Sequence, residues 1–210
     1  MTILFRLALG ALAAGAQVAP LTAQSIAPSP GTDDLLVTTT KDLPSHRGEE
    51  LSLRGALRIV GQGGTIRFHP ALDDGTIYLG AELTIDVKVT IDASDLPTGL
   101  TISGDRHSRI FMVEEEAELS VRGLRLADGA GTAGGALWND GGRILIERCT
   151  FARNAVELKG GAIYNHRGRL SVHDSTFAWN TAWEEGGAVA NGGEGSFEAT
   201  HCTFSGNSQT

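Results

Sequence analysis

Along most of this chain apolar residues come in pairs two positions apart, bounded by turn residues. Ile66 and Phe68, Ile77 and Leu79, Leu83 and Ile85, Val89 and Ile91, Leu100 and Ile102, Phe111 and Val113, and Leu119 and Val121 all follow this rule. A spacing of two is the alternation of a strand with one face buried. From Gly134 the alternation acquires a period. Gly134-Gly135-Ala136-Leu137-Trp138-Asn139 is followed by Phe151-Ala152-Arg153-Asn154. Gly160-Gly161-Ala162-Ile163-Tyr164-Asn165 is followed by Phe177-Ala178-Trp179-Asn180, and Gly186-Gly187-Ala188-Val189-Ala190-Asn191 by Phe204-Ser205-Gly206-Asn207. Gly134 to Gly160 and Gly160 to Gly186 are each 26 residues. A fixed period of this size marks a solenoid or another repeat array.

The pattern inside the repeat selects the kind. Ile144 and Ile146, Leu170 and Val172, and Phe197 and Ala199 alternate; a step of three then leads to Cys149, Ser175 and Cys202, and a step of two to Phe151, Phe177 and Phe204. A step of three between inward residues is what a corner needs. Three short strands per repeat are predicted, separated by two Asn-containing bends and a tighter corner. No helix of ten or more residues fits between the turns, so the fold class is all-β: a parallel β-helix in which each repeat makes one coil stacked ~4.8 Å from the next. Leu119 to Ile144 is 25 residues, so the periodic part begins a coil before Gly134.

Stacking places like on like. Leu137, Ile163 and Val189 form an aliphatic column, and Phe151, Phe177 and Phe204 an aromatic one. Asn139, Asn165 and Asn191 recur at one bend, and Asn154, Asn180 and Asn207 at another. An amide that donates to one coil and accepts from the next makes a structural ladder. Cys149 and Cys202 occupy the same place two coils apart, with Ser175 between. Twice the strand spacing is ~9.6 Å, beyond the ~7 Å reach of a disulfide, so two buried free thiols are expected.

Upstream, Ser52 to Val60 is the one good helix. Ser52 can cap it, and Leu53, Ala56, Leu57 and Val60 fall on one face. Its expected task is to cover the open first coil; membrane binding is the alternative, with only Arg54 and Arg58 as cations on its polar face. The chain divides into 1–23, a secretory signal with Arg6 before an Ala-rich apolar run and Leu21-Thr22-Ala23 at the cleavage site; 24–50, a Pro-containing linker with a possible first strand over Leu35 to Thr40; 51–133, the N-terminal cap and irregular coils, with loops at Asp92 to Gly99 and Gly104 to Ser108; and 134–210, the regular coils. After Asn207 no further Gly-Gly comes, so the array is expected to be truncated, and continued by further coils or an anchor domain.

Composition refines this picture in two ways. Gly is abundant, at 28 residues, as a turn-dense solenoid requires. The net charge of −8, with no basic cluster, argues against a nucleic-acid surface and gives no reason to expect anionic membranes. No membrane span is expected in the mature chain. No cofactor or metal is expected either: the cysteines form no Cys-x-x-Cys pair, and alternation turns Asp86, Asp92 and Asp95 apart.

Two constellations remain as candidate chemistry. Arg148, Asp174 and His201 align at the corner, beside Glu147, His173 and Thr200. Asp174 and Glu147 have the chemistry of a glycosidase acid–base pair; the structural reading is a row of opposite charges on neighbouring strands. Trp138 and Tyr164 point outward on one sheet, and Trp179 and Trp183 bracket the next bend. Flat rings on a rigid sheet suit sugar or protein contact; the structural reading is packing against segments such as Ala155 to Lys159. The second loop offers Asp105, Arg106, His107 and Arg109 as a polar site or a solvated turn.

The paired Gly-Gly-Ala-Ile and Phe-x-x-Asn motifs resemble the repeats of chlamydial polymorphic outer membrane proteins and, more widely, secreted bacterial β-helix proteins of the pectin-lyase-like fold. Leu51-Ser52-Leu53-Arg54-Gly55-Ala56-Leu57 resembles their N-terminal segment, with Leu51 where the family often has Cys. The resemblance implies a right-handed parallel β-helix that is secreted or displayed at the cell surface or outer membrane. It implies a non-catalytic binding or adhesin-type module, or a stalk, with a glycan or a host or cell-surface protein as partner. The alternative class is a carbohydrate-active enzyme, a polysaccharide lyase or glycoside hydrolase.

Overall fold

The computed structural model describes residues 34–45 and 50–210. The expected signal over 1–23 and the start of the linker lie outside the described residues. The described chain winds into a parallel β-solenoid of about six turns. One coil shows the plan. Arg143–Glu147 lies in sheet 1, Thr150–Ala152 in sheet 2, Ala155–Lys159 in sheet 3 and Ile163–His166 in sheet 4; Arg169–His173 then returns to sheet 1 beside its starting point. The four sheets contain seven, six, four and five strands, all paired parallel. The first strand is Asp34–Val37, shorter than the pattern suggested, paired with Gly64–Phe68.

Four strands per coil corrects the expectation of three. Ala155–Lys159 pairs with Ala130–Ala133 and with Thr181–Ala182, and the ladder is broken by a register shift between Gly131 and Ala133. Its buried residues are few: Val156 and Ala182 face inward while Ala155, Glu157 and Leu158 are exposed. An apolar pair two apart is missing here, so alternation could not reveal it.

Four corners accompany the four strands, each with one residue in the left-handed region. Gly123, Arg148, Asp174 and His201 (φ 67, 52, 51 and 53°) turn the chain from sheet 1 to sheet 2, and Asp128, Arg153, Trp179 and Gly206 from sheet 2 to sheet 3. Gly134, Gly160 and Gly186 turn it into sheet 4, and Gly141, Arg167 and Gly193 back to sheet 1. The Gly-Gly signature follows from the third of these. A Cβ on Gly160 (φ 67°) would sit 2.1 Å from the Ile163 carbonyl oxygen, and one on Gly161 2.1 Å from that of Gly187 in the next coil.

Register delivers the expected columns, buried at Leu137, Ile163, Phe151 and Phe177, while Val189 is partly buried and Phe204 is 48% exposed. Leu83, Phe111, Leu137, Ile163 and Val189 are successive partners in sheet 4. Phe151, Phe177 and Phe204 are partners in sheet 2, their rings stacked at 4.7 and 4.8 Å with 5° between planes. Both Asn columns are ladders. Asn139 donates to Asn165 at 2.7 Å and Asn165 to Asn191 at 2.6 Å. Asn180 Oδ1 accepts the backbone N–H and the side-chain amide of Asn154 at 3.0 and 2.9 Å, and Asn207 does the same for Asn180. Asn139, Asn154, Asn165 and Asn180 are fully buried, so these bonds carry the full cost of an unmet polar group if broken.

The cysteine column is unpaired. The Cys149 and Cys202 thiols donate to the carbonyls two residues earlier, both at 3.3 Å, as the Ser175 hydroxyl does at 2.7 Å. Burial pushes the Cys149 thiol up to about 12. Cys202, expected to be buried, is half-buried.

The short helix is present as Leu53–Ile59, with the Ser52 hydroxyl accepting from the Gly55 amide at 2.9 Å. Leu53, Ala56 and Val60 join one continuous core with Val37 and Ile66. Among the described residues no helix is long and apolar enough to cross a membrane.

Two outcomes are expected. Asn165→Ala leaves the amide of Asn139 and the Gly168 and Ser196 carbonyls without this partner, and should cost about 2–4 kcal/mol in urea unfolding; a loss below about 0.5 kcal/mol, the level of an ordinary surface change, contradicts the ladder. Alkylation without reductant should label Cys149 far more slowly in the native protein than after denaturation, when both thiols react; mass spectrometry showing a bridged, unlabelled pair contradicts the column.

Candidate binding surfaces

The corner candidates are explained by backbone conformation. Arg148, Asp174 and His201 recur because each is the left-handed residue of the sheet 1 to sheet 2 corner. Asp174 faces His201 at 3.5 Å, and both side chains are well exposed. Glu147 belongs to a different group. Along the outer face of sheet 1, Arg67, Asp92, Arg122, Glu147 and His173 are successive register partners, and Glu147 accepts from Arg122 Nε at 2.6 Å. Arg67 reaches both Asp92 and Asp95, at 3.5 and 3.2 Å. Burial acts to raise the Asp92 pKa, but bonds from the Ser94 hydroxyl and amide and the charges of Arg67 and Arg122 outweigh it, and its carboxyl is held below the usual range. This face is an alternating-charge ladder. Among the described residues no cluster of three metal-ligating side chains occurs.

The aromatic candidates separate into two surfaces. Trp138 and Tyr164 are register partners on the outer face of sheet 4, as the alternation requires, with ring centroids 5.6 Å apart. They are half-buried and already engaged. The Arg109 guanidinium lies 4.7 Å over the Trp138 ring, donates to the carbonyls of Ala133 and Gly134, and pairs with Glu82 at 2.7 Å. The Trp138 indole N–H is buried and has no acceptor among the described residues. Tyr164 stacks on His166 at 5.9 Å. His166 Nδ1 and Arg167 Nη2 both contact Asp140 Oδ1, at 2.9 and 2.8 Å. Those two bonds hold the Asp140 carboxyl below its ordinary value. Asp105, Arg106 and His107 remain in an exposed loop, while Arg109 leaves that loop for Trp138.

Trp179 and Trp183 are the open rings, 66% and 65% exposed. Trp179 sits in the left-handed corner before sheet 3 and lies flat on the next coil, where a Cβ on Gly206 would be 2.5 Å from its ring. Trp183 follows Thr181–Ala182 and walls a groove of about 410 Å³ on the outer face of sheet 3. Ala130, Gly131 and Ala155 form its floor and Glu157 its rim. Ala130 and Ala155 are register partners with short side chains on this face, and Thr132 and Val156 complete the lining. The groove was hidden from sequence reasoning because Ala155 to Lys159 reads as a connecting segment; the repeated small residue after each Phe-x-x-Asn was its only trace.

No known protein family and no curated protein matches this chain.

The charge geometry sets an acid limit. Asp92, Glu118 and Asp140 all have pKa values below their ordinary ones. Groups depressed on folding stabilise the native state above the unfolded pKa, about 4 for carboxylates, and lose that contribution as pH falls through the folded value. Urea midpoints should therefore decline as pH drops below about 4, and Asp140→Asn should flatten part of the decline; parallel curves for the two proteins would contradict the Asp140 assignment.

Proposed function

We propose that this chain is an exported, non-catalytic carbohydrate-binding module of adhesin type, built on a right-handed parallel β-helix of the pectin-lyase-like kind. The observation that carries the proposal is the sheet 3 groove. An exposed indole lines the groove with the small residues Ala130, Gly131 and Ala155 and with Glu157. A pyranose ring needs an apolar plate for its C–H face and an acceptor for its hydroxyls, and about 410 Å³ lies within the range of small-ligand sites. Bulky side chains would close the groove; the short ones keep it open over adjacent coils, so that a chain of sugars can run along the solenoid.

Other features support the setting. The charged leader, apolar run and small-residue site within 1–23 read as an export signal. Right-handedness follows from the rule for crossovers between parallel strands. The helix Leu53–Ile59 serves as the lid of the first coil, since its apolar face enters the core beside the edge strand Asp34–Val37. The engagement of Glu147 with Arg122 and the exposure of Asp174 favour a binding role over glycoside or polysaccharide cleavage.

A glycan array followed by calorimetry tests the reading. Trp183→Ala should weaken the best-bound glycan by ~2 kcal/mol or more, with Glu147→Gln and Asp174→Asn unchanged. Glycan breakdown that disappears in Asp174→Asn would overturn the non-catalytic assignment, and binding indifferent to Trp183→Ala would overturn the groove.

A further inference from the structure

A second groove, of about 730 Å³, lies where sheet 4 returns to sheet 1, and its lining is cationic. Arg167, Arg169 and His166 line it, with Gly193, Glu194 and Ser196 from the next coil. Arg143 is outside the lining, on the coil before, where it is the register partner of Arg169 on the adjacent parallel strand. Two like charges directly opposite each other oppose strand pairing. Elsewhere on this face the coils alternate charge, as Arg122 over Glu147 shows.

The opposing carboxylates are few. Arg169 has no ion-pair partner among the described residues, and Arg143 reaches only Glu118, at 3.7 Å, which Lys88 already contacts at 2.9 Å. Arg167 gives one nitrogen to Asp140 at 2.8 Å. Glu194 is the one carboxylate in the lining. Arg167 takes the left-handed corner (φ 59°) that the coils on either side give to glycine, Gly141 and Gly193, as Arg148 and Arg153 take other corners, and this places its side chain outside the winding. The following coil makes room for it: a Cβ on Gly193 would lie 3.0 Å from Arg167 Cγ.

We propose that Arg143, Arg167 and Arg169 form a site for one tetrahedral oxyanion, a sulfate or phosphate group. Guanidinium forks match the oxygens of such a group and bind it in pairs, and the Ser196 hydroxyl beside Arg169 is a further donor. The anion would relieve the Arg143–Arg169 opposition. A nucleic acid is disfavoured: it needs an extended basic surface, and this chain carries a net charge of −8 around one compact cluster. The site is separate from the sheet 3 groove and does not depend on the carbohydrate reading.

Calorimetry at low ionic strength with inorganic sulfate, inorganic phosphate, galactose 6-sulfate and galactose tests the proposal. Sulfate or phosphate should bind, Arg169→Gln and Arg143→Gln should each weaken binding about tenfold, and Glu194→Gln should strengthen it. Trp183→Ala should leave anion binding unchanged. Galactose 6-sulfate binding tighter than free sulfate assigns the anion to a glycan ester; equal or weaker binding assigns the free ion. Thermal melts check that each variant is folded. Absence of binding at millimolar anion overturns the site. So does an equal loss from Arg148→Gln at the other corner, which would make the effect diffuse electrostatics, or preferential binding of a DNA duplex.

Discussion

Each coil is held by the coil before it, through backbone pairing of equivalent residues about one repeat apart. Everything else in the molecule is adjusted to that pairing. Parallel strands in register bring identical side chains together, so a residue that stacks well on itself can be used again and again. Phe151 on Phe177 on Phe204 does this by ring stacking at 4.7 and 4.8 Å. Asn154, Asn180 and Asn207 do it with an amide that both donates and accepts. A buried amide that lost this relation would retain its desolvation cost with nothing to offset it, which is why the ladders set register as well as stability. Cys149, Ser175 and Cys202 extend the point: thiol and hydroxyl substitute for one another because each donates to the carbonyl two residues back, and the Ser175 hydroxyl also accepts the Cys149 N–H from the coil before at 3.0 Å.

The corners divide structure from function. Four left-handed residues per coil close the loop, and wherever a corner is not glycine its side chain is placed outside the winding. Arg153 pairs with Asp128 across two such corners, both bonds at 3.0 Å. Trp179, one coil further on, lies on the glycine above it. Arg167 enters a groove. The interior is thereby free to be uniform, and the outer faces differ: charged on sheet 1, aromatic and tied on sheet 4, short-chained and open on sheet 3.

How much of this the sequence showed depends on how far each signal reaches. The Phe and Asn columns were legible because stacking imposes one period on residues that are adjacent in space. Leu53, Ala56 and Val60 were legible because a helix face is local. The fourth strand was not, because Ala155–Lys159 buries only Val156 and its neighbour Thr181–Ala182 is two residues long. The exposure of the aromatic rings was not legible either. Trp138 reads as an outward residue of a strand, yet Arg109 comes from a loop of an earlier coil to cover it, and nothing local announces it. The alignment of Arg148, Asp174 and His201 was visible, but their positive φ, which accounts for it, was not.

The claim that stacked equivalent side chains hold the winding together is a claim about coupling, and a double-mutant cycle measures coupling directly. Asn154→Ala, Asn180→Ala and the double variant, compared by urea unfolding, should show a non-additive interaction of about 1 kcal/mol or more. Strictly additive losses would mean that each amide serves its own coil alone, and the account would fail.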